Sequence, residues 1–168
     1  GDGVELFSQL HINGPSDSTT FSNELATPAA LSEASLEDLL IQINEATDPR
    51  GLRIALRGER LIVPAALGFE AERIMKSTLQ NDTANNAVNA IKSMGMLPGG
   101  CSINNYLTSG SAWFIKTNAP DGVKHFNRQA VSFDQDNDFG TSNARFKADE
   151  RYSFGWSDPR GSYGSAGV

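Results

Sequence analysis

The chain has 168 residues and a net charge of −6, with 39% hydrophobic and 20% charged residues. This length suits one domain, or one large piece of a longer protein, and no apolar run approaches the ~20 residues that a membrane helix requires. The negative charge argues against a general nucleic-acid binder, and the single cysteine, Cys101, excludes an internal disulfide. Because the sequence shows no initiator methionine, secretory signal or targeting segment, we expect Gly1 to be a processed end or a cut within a longer chain.

The charge is unevenly distributed along the chain. From Gly1 to Asp48 there are nine acidic residues and no Lys or Arg, whereas the remainder carries eleven acidic and fourteen basic residues. Such charges usually form solvated faces. Alternatively, residues 1–48 of one copy, which we call the acidic front, lie against the mildly basic remainder of another copy. Such a contact would determine the relative orientation of the two copies more than their binding affinity.

The first third of the sequence predicts one clear helix. Val4 to Phe7 has a strand-like pattern, and the turn-rich stretch from His11 to Thr20 predicts a loop in which His11 is a hydrogen-bonded structural residue. Apolar residues at helical spacing then predict a helix over 36–47, with Ser35 as its N-cap. Those residues are Leu36, Leu39, Leu40 and Ile43. A turn over 48–51 follows the helix.

The next segment predicts a strand followed by a second helix. Apolar residues alternate from Leu52 to Leu56, and the run Leu61 to Val63 predicts a buried strand end. Pro64 marks the first turn of the helix. Its apolar face would be formed by Leu67, Ala71, Ile74, Met75 and Leu79, with Glu72 and Lys76 as an ion pair. A strand leading into a helix also suits a nucleotide-binding unit, but no Gly-rich phosphate loop is present.

From Asn81 onward the chain predicts mostly turns and strands. Asparagines at 81, 85, 86, 89, 104 and 105 and the sequence Pro98-Gly-Gly100 indicate turns, with a short strand over 88–91. A strand over 112–117 ends at a strong turn over 118–122, and another strand covers 123–133. The stretch 145–156 then alternates aromatic and charged residues, which is typical of a half-buried strand whose aromatic side chains face one way.

Each candidate chemical site in the sequence lacks a feature that its chemistry requires. Asp134, Asp136 and Asp138 have the spacing of a calcium loop, but the required glycine is one position late and Arg145 stands where a Glu ligand is needed, so a turn that pairs with Arg145 is favoured. Cys101, His125 and an Asp could form a nucleophilic site, yet no family motif surrounds the cysteine. Two isolated histidines and one cysteine do not supply a zinc shell. The aromatic residues Tyr106, Trp113 and Phe114 fit a core better than a base-stacking surface.

Several short sequence segments, in a fixed order, resemble those of a known protein family. They are Leu61-Ile-Val-Pro-Ala-Ala-Leu67, Glu70-Ala-Glu-Arg-Ile74, Asn104-Asn-Tyr-Leu-Thr108, Ala112-Trp-Phe114, Ala119-Pro-Asp-Gly-Val-Lys-His-Phe126, Asp136-Asn-Asp-Phe139 and Arg151-Tyr-Ser-Phe-Gly-Trp-Ser-Asp-Pro-Arg-Gly161. Together they resemble the C-terminal portion of major capsid proteins of tailed bacteriophages and prophages, in the Mu-like head-subunit group with the Johnson capsid fold. The last segment is the most specific.

The resemblance implies an α+β fold of the Johnson type. Residues 1–142 would form mainly the axial domain, with a candidate peripheral strand at the start, and residues 143–168 would form the C-terminal return strand and tail of the peripheral domain. The sequence contains no long spine helix, extended loop or N-terminal arm, so we expect the part upstream of Gly1 to be missing. The return strand would then depend on partner strands outside this sequence.

The resemblance also implies the function and the partners. It predicts a structural subunit of an icosahedral head that assembles as pentamers and hexamers around double-stranded DNA, in the virion, after assembly in the bacterial cytoplasm. Identical subunits are the expected partners, with portal or scaffold proteins as further candidates, and no cofactor, metal, membrane or catalytic residue is expected. The candidate intersubunit or structural residues are Arg53, Arg57, Arg60, Arg145, Arg151, Tyr152, Phe154, Trp156, Asp158 and Arg160. The competing hypotheses are a soluble ligand-binding module and, less favoured, a cysteine hydrolase.

Overall fold

The structure is a computed structural model that describes residues 2–14, 17–80 and 87–168. Gly1 and the predicted turn residues Asn81, Asn85 and Asn86 lie outside this part of the chain. The helices within it are α1 Glu33–Asn44, α2 Gly68–Lys76 and α3 Ala90–Met94. The strands within it are β1 His11–Gly14, β2 Asp17–Phe21, β3 Gly58–Val63, β4 Cys101–Ile103, β5 Trp113–Thr117, β6 Val123–Asn137, β7 Ala144–Trp156 and β8 Ser162–Ser165. The chain is therefore a mixed α+β protein.

The central element is a four-stranded sheet in the order β4, β3, β5, β8. β3 pairs parallel with β4 and antiparallel with β5, and β8 pairs antiparallel with β5. Alternate side chains of the two middle strands are fully buried, among them Leu61, Val63, Trp113 and Ile115. The predicted strand over 112–117 is confirmed. The predicted strand at 61–63 is also confirmed, but Ile62 is only half-buried, because successive side chains point to opposite faces of the pleat.

α1 packs its apolar stripe into the core beside this sheet. Its predicted face is confirmed, since Leu36, Leu39, Leu40 and Ile43 are buried. The predicted cap is wrong, because Ser32 is the N-cap and Ser35 occupies the third helical position in a reciprocal capping box. The two serine hydroxyls satisfy each other's backbone N–H groups, which moves the helix start three residues upstream of the expected position and is worth roughly 1 kcal/mol.

The second helix follows β3 as predicted. Pro64 precedes a short 3₁₀ turn over Ala65–Leu67, and α2 begins at Gly68. Ala71 and Ile74 are buried, and Glu72 and Lys76 form the predicted ion pair. The alternating stretch before β3 differs from the prediction, since only an isolated bridge between Thr47 and Arg53 forms there and Leu52 is exposed.

Two further local predictions are wrong. The stretch 88–91 was expected to be a strand, but Asn89 caps α3, and its side-chain oxygen accepts a hydrogen bond from the Lys92 N–H at 3.1 Å. This cap outweighs the strand preference of Val88 and Ile91. Near the N-terminus, Val4 to Phe7 forms no strand, and the expected loop from His11 instead contains the antiparallel pair β1 and β2.

β6 and β7 form a separate two-stranded ribbon. β6 extends four residues beyond the predicted strand end at Phe133, and β7 confirms the strand expected over 145–156. The predicted half-burial of β7 is wrong, because nearly all of both strands are exposed. β7 also pairs with β6 along its length, so its strand partner lies within this sequence, contrary to the expectation of missing partner strands. No helix in the described ranges is long and apolar enough to span a membrane.

Candidate assembly surface

The β6–β7 ribbon carries two different faces because of its register. Val123 lies opposite Trp156 and Asn127 opposite Tyr152, whereas Ser132 lies opposite Asp149. Between the Asn127–Tyr152 pair and the Ser132–Asp149 pair, β6 therefore has two more residues than β7. One extra residue lies at each of two irregularities in the pairing. Since two extra residues restore side-chain parity, odd positions of β6 and even positions of β7 share one face on both sides of the irregular stretch at Gln129.

That shared face is aromatic and exposed, and we call it the aromatic face. Its residues are Val123, His125, Phe133, Phe146, Tyr152, Phe154 and Trp156. His125 stacks on Phe154 with ring centroids 4.9 Å apart, and Tyr152 lies edge-on to Phe154 at 5.5 Å. Phe146 and Phe154 nevertheless remain 78% and 68% exposed. The sequence correctly placed Tyr152, Phe154 and Trp156 on one side, but within the described chain nothing buries the first two.

The outer part of the opposite face is charged, whereas Phe126 lies on that face nearer the base of the ribbon. Asp134 lies opposite Lys147 and Asp136 opposite Arg145. Arg145 forms its ion pair with Asp138 at 2.8 Å, which confirms the prediction of an acidic turn that pairs with this base. Hydrogen bonds from Lys147 and Gln129 lower the pKa of the Asp149 carboxyl, although partial desolvation opposes this shift. Arg151, also a candidate, is exposed and forms no ion pair within the described part of the chain. Exposed pairs of this kind add little stability and mainly keep this face soluble.

The base of the ribbon is fixed against the sheet domain. A Cβ atom placed on Gly161 would lie 2.6 Å from the Cα of Gly122, so the two backbones approach closely only because both residues are glycine. The Asp158 N–H donates to the Asp121 carbonyl at 3.1 Å. Trp156, half-buried, meets the ring of His11 edge-on at 5.5 Å. The ribbon thus leaves the body from a defined, packed base.

His11 is a buried structural residue, as predicted. Its Nδ1 lies 2.9 Å from Asp2 Oδ2, and its Nε2 lies 3.1 Å from the Leu6 carbonyl oxygen. Desolvation would raise the pKa of Asp2, but the hydrogen bonds with His11 and the Val4 N–H, together with the charge of His11, lower that pKa. Both ring nitrogens are therefore engaged in holding the N-terminal segment rather than facing an open cleft.

The tail after the ribbon is part of the core, which the sequence did not indicate. Arg160 is 8% exposed, and its Nε donates to the Thr47 carbonyl at 3.2 Å while its other nitrogens bond Asn13 and lie 3.5 Å from Asp158. Its guanidinium also lies 4.1 Å from the centre of the Phe21 ring. Asp158 caps the short turn by accepting the Arg160 N–H at 2.9 Å. Both candidates thus form local structural contacts.

Asn23 is a structural residue that sequence reasoning missed. It is fully buried, and its amide nitrogen donates to the carbonyls of Leu6, Pro159 and Ser162 at 2.7–3.2 Å. Its side-chain oxygen accepts the Ser8 N–H at 2.9 Å. An isolated asparagine in a loop carries no motif, so only the fold could reveal that it joins the N-terminal segment to the C-terminal tail.

The three arginine candidates before and within β3 differ in availability. Arg53 pairs with Glu45 at 3.0 Å, and Arg60 donates to the Gly99 carbonyl at 3.1 Å. The Arg57 guanidinium has no acidic partner within the described residues, although its backbone N–H bonds Asn118. Arg57 is therefore the most available of the three for a contact with another molecule.

The hypothesis of a cysteine nucleophile finds no geometric support among the described residues. Cys101 lies on β4, whereas the His125 ring is engaged by Tyr152 and Phe154 on the ribbon. Burial, together with the negative charge of Glu72, raises the pKa of the Cys101 thiol. Nucleophilic cysteines require a lowered thiol pKa. Within the described ranges, no three His, Cys, Asp or Glu side chains are grouped closely enough to hold a metal ion.

Comparison with protein-family models identifies the family of this chain. Residues 9–164 match the model of a family described as phage capsid protein. The chain belongs to the phage capsid protein family. A search of curated proteins finds no match. As a member of this family, the protein is a structural capsid subunit that associates with other capsid subunits and is located in the virion. The family is typically non-enzymatic, so the exposed ribbon is a candidate assembly element rather than part of an active site.

Proposed function

We propose that this capsid protein is a major subunit of an icosahedral phage head, which assembles as pentamers and hexamers into a shell around double-stranded DNA. The proposal extends to the Mu-like group and the Johnson fold, with these residues as the C-terminal portion. Residues 1–142 would contribute mainly to the axial domain and residues 143–168 to the peripheral domain. One observation carries the assembly role: the β6–β7 ribbon presents its aromatic face to solvent along its length.

An exposed ribbon of two strands gains stability from a partner surface. A two-stranded ribbon is marginally stable in water on its own, because each strand buries only one edge. A strand of about 13 residues spans roughly 40 Å, enough to reach past its own subunit. Each aromatic side chain buries about 150–250 Å² on contact, so four of them supply several hundred Å². That is a large share of the ~800 Å² that each partner contributes to a standard interface. Contact with neighbouring subunits would stabilise the ribbon and the shell together.

Charge supports the same role. With a net charge of −6, the subunit repels enclosed DNA, which keeps the genome free to leave the head. Arg57 and Arg60 lie in the basic remainder of the chain and can meet acidic residues of a neighbouring copy. Reversing both to Glu is expected to impair formation of pentamers and hexamers, and unchanged assembly in electron micrographs would count against this pairing.

The direct test is assembly of the protein expressed from its complete coding region, in the bacterial cytoplasm, with portal or scaffold proteins added where they are encoded nearby. We expect closed particles with fivefold and sixfold capsomers by electron microscopy. A variant with Phe133, Phe146 and Phe154 replaced by serine is expected to remain subunit-sized in sedimentation while keeping its fold. A matched control with Tyr106, an exposed aromatic outside the ribbon, replaced by serine should assemble normally. Monodisperse subunits at high concentration under every condition would contradict the proposal.

A further inference from the structure

The tip of the ribbon displays a single aromatic side chain on a rigid turn. Phe139, between β6 and β7, is fully exposed. The turn around it is held by Asp138, whose carboxylate accepts the Gly140 N–H at 3.1 Å and pairs with Arg145 at 2.8 Å. The Ser142 N–H also donates to the Asp138 carbonyl at 2.8 Å. A side chain presented by a pre-formed turn loses little conformational entropy on binding.

A groove of about 310 Å³ between α1 and α3 offers an apolar recess of matching character. Its apolar lining includes Leu40, Ile41, Ile91, Met94 and Met96, and the polar residues Glu37 and Asn44 also line it. Met94 and Ile41 are more than half exposed. Methionine side chains are flexible and polarisable, and they contact aromatic rings favourably. The groove therefore has the chemistry to receive one aromatic ring, and Phe139 of the same chain does not occupy it, since that residue is fully exposed.

Charges beside the tip and beside the groove are complementary. Asp136, three residues before Phe139, forms no ion pair in the described part of the chain, because Arg145 opposite it is engaged by Asp138. Arg57 lines a depression that shares Met94 and Met96 with the apolar groove. It also lacks an acidic partner among the described residues. An unpaired acid near the tip thus matches an unpaired base near the groove. Because the acid Glu37 also lines the groove, Asp136 is favoured on the Arg57 side, which sets one orientation of contact.

We infer that Phe139 of one copy inserts into the α1–α3 groove of a second copy, with Asp136 of the first next to Arg57 of the second. The two surfaces differ, so the contact is heterologous and links subunits head to tail into rings or larger arrays. This inference rests on the proposed assembly function, and it names one pair of surfaces through which assembly occurs.

The test traps the contact with cysteines between two populations of the protein expressed from its complete coding region. Both carry Cys101→Ser; one adds Gly140→Cys, which leaves Phe139 in place, and the other adds Asn44→Cys, an exposed position that lines the groove. After mixing, assembly and mild oxidation, we expect a disulfide-linked dimer on a non-reducing gel, because a disulfide forms only when the two Cα atoms lie within about 7 Å. The matched control pairs Gly140→Cys with Tyr106→Cys, an exposed position away from the groove, and should give at least tenfold less dimer, about the yield of random collision.

A charge swap provides the second, independent readout. Arg57→Asp and Asp136→Arg should each raise the protein concentration required for assembly by about three- to tenfold, and the double variant should restore it, because exposed pairs are weak singly but repeat at every contact. A double variant no better than either single one would overturn the inference. So would assembled particles that give no dimer, or that give as much in the control. Failure of the unmodified protein to assemble would instead overturn the proposed function and this contact together.

Discussion

The four-stranded sheet and the β6–β7 ribbon have similar sequence patterns but differ in whether the apolar side chains are buried. Both place large apolar side chains at every second position, as at Trp113 and Ile115 in the sheet and at Tyr152, Phe154 and Trp156 in the ribbon. In the sheet, Trp113 and Tyr163 are almost completely buried beneath α1 and its neighbours, whereas Phe146 on the ribbon is 78% exposed. The difference teaches that alternation specifies a strand and its two faces, while burial depends on whether another layer covers one of them. In this protein the covering layer of the sheet is within the chain, and that of the ribbon is proposed to be another subunit.

The largest expected effect, and the strongest test of this difference between sheet and ribbon, comes from truncating an aromatic residue in the sheet. Trp113→Ala should lower the free energy of unfolding by about 3–5 kcal/mol, because a fully buried indole leaves a cavity and its N–H loses the hydrogen bond to the Ala29 carbonyl, 3.0 Å long. Urea unfolding of the unassembled protein measures this change. A loss below about 1 kcal/mol would show that the sheet core does not carry the fold.

The pH dependence of the sheet gives a second test. Burial raises the pKa of Tyr163 to about 12, above the value near 10 expected in the unfolded chain. The folded form therefore holds the phenol proton more tightly. The resulting stability is fully present below pH ~10 and is lost as the pH rises towards ~12, by roughly 3 kcal/mol. Tyrosinate absorbance should show one of the three tyrosines ionising late, and Tyr163→Phe should remove this part of the alkaline loss. Ionisation of Tyr163 near pH 10 would contradict its burial.

Trp156, at the boundary between the two regions, should have an intermediate effect. A fully buried return strand predicts a loss near 3 kcal/mol for Trp156→Ala. Because this indole is half-buried and meets only the edge of His11 at 5.5 Å, we now expect about 1–2 kcal/mol. Thermal unfolding alongside Trp113→Ala would rank the two. A loss equal to that of Trp113→Ala would mean that the base of the ribbon belongs to the core.

The smallest effect is expected on the ribbon itself. Phe146→Ser should change the free energy of unfolding of the unassembled protein by less than about 0.5 kcal/mol, since the side chain is already in water. The same urea experiment measures it, and Trp113→Ala serves as its counterpart in the sheet. A loss above about 1 kcal/mol would show that the aromatic face is covered within the subunit.

The elements predicted correctly from the sequence are those defined by local patterns. The stripe of α1, the strand over 112–117 and the entry into α2 at Pro64 follow from spacing and backbone chemistry. The errors arose where a competing local bond prevailed, as at Asn89, which starts a helix in place of the expected strand. Long-range contacts were beyond prediction: nothing near Arg160 in the sequence indicates that Thr47 and Asn13 will meet it.

The candidate surface was predicted only in part, for the same reason. Parity correctly grouped Tyr152, Phe154 and Trp156, but the pairing of β6 with β7, and hence the exposure of that face, depends on strand partners that alternation does not specify. The availability of Arg57, compared with Arg53, depends on which arginine finds an acid across the fold.

The central claim is that the ribbon is covered by neighbouring subunits, and hydrogen exchange tests it most directly. Amide exchange would be compared between unassembled protein and assembled particles, with β3 and β5 as the internal reference. We predict that β6 and β7 exchange quickly in the free subunit and become strongly protected in particles, whereas β3 and β5 are protected in both. Particles in which the ribbon exchanges as fast as in the free subunit would contradict the claim.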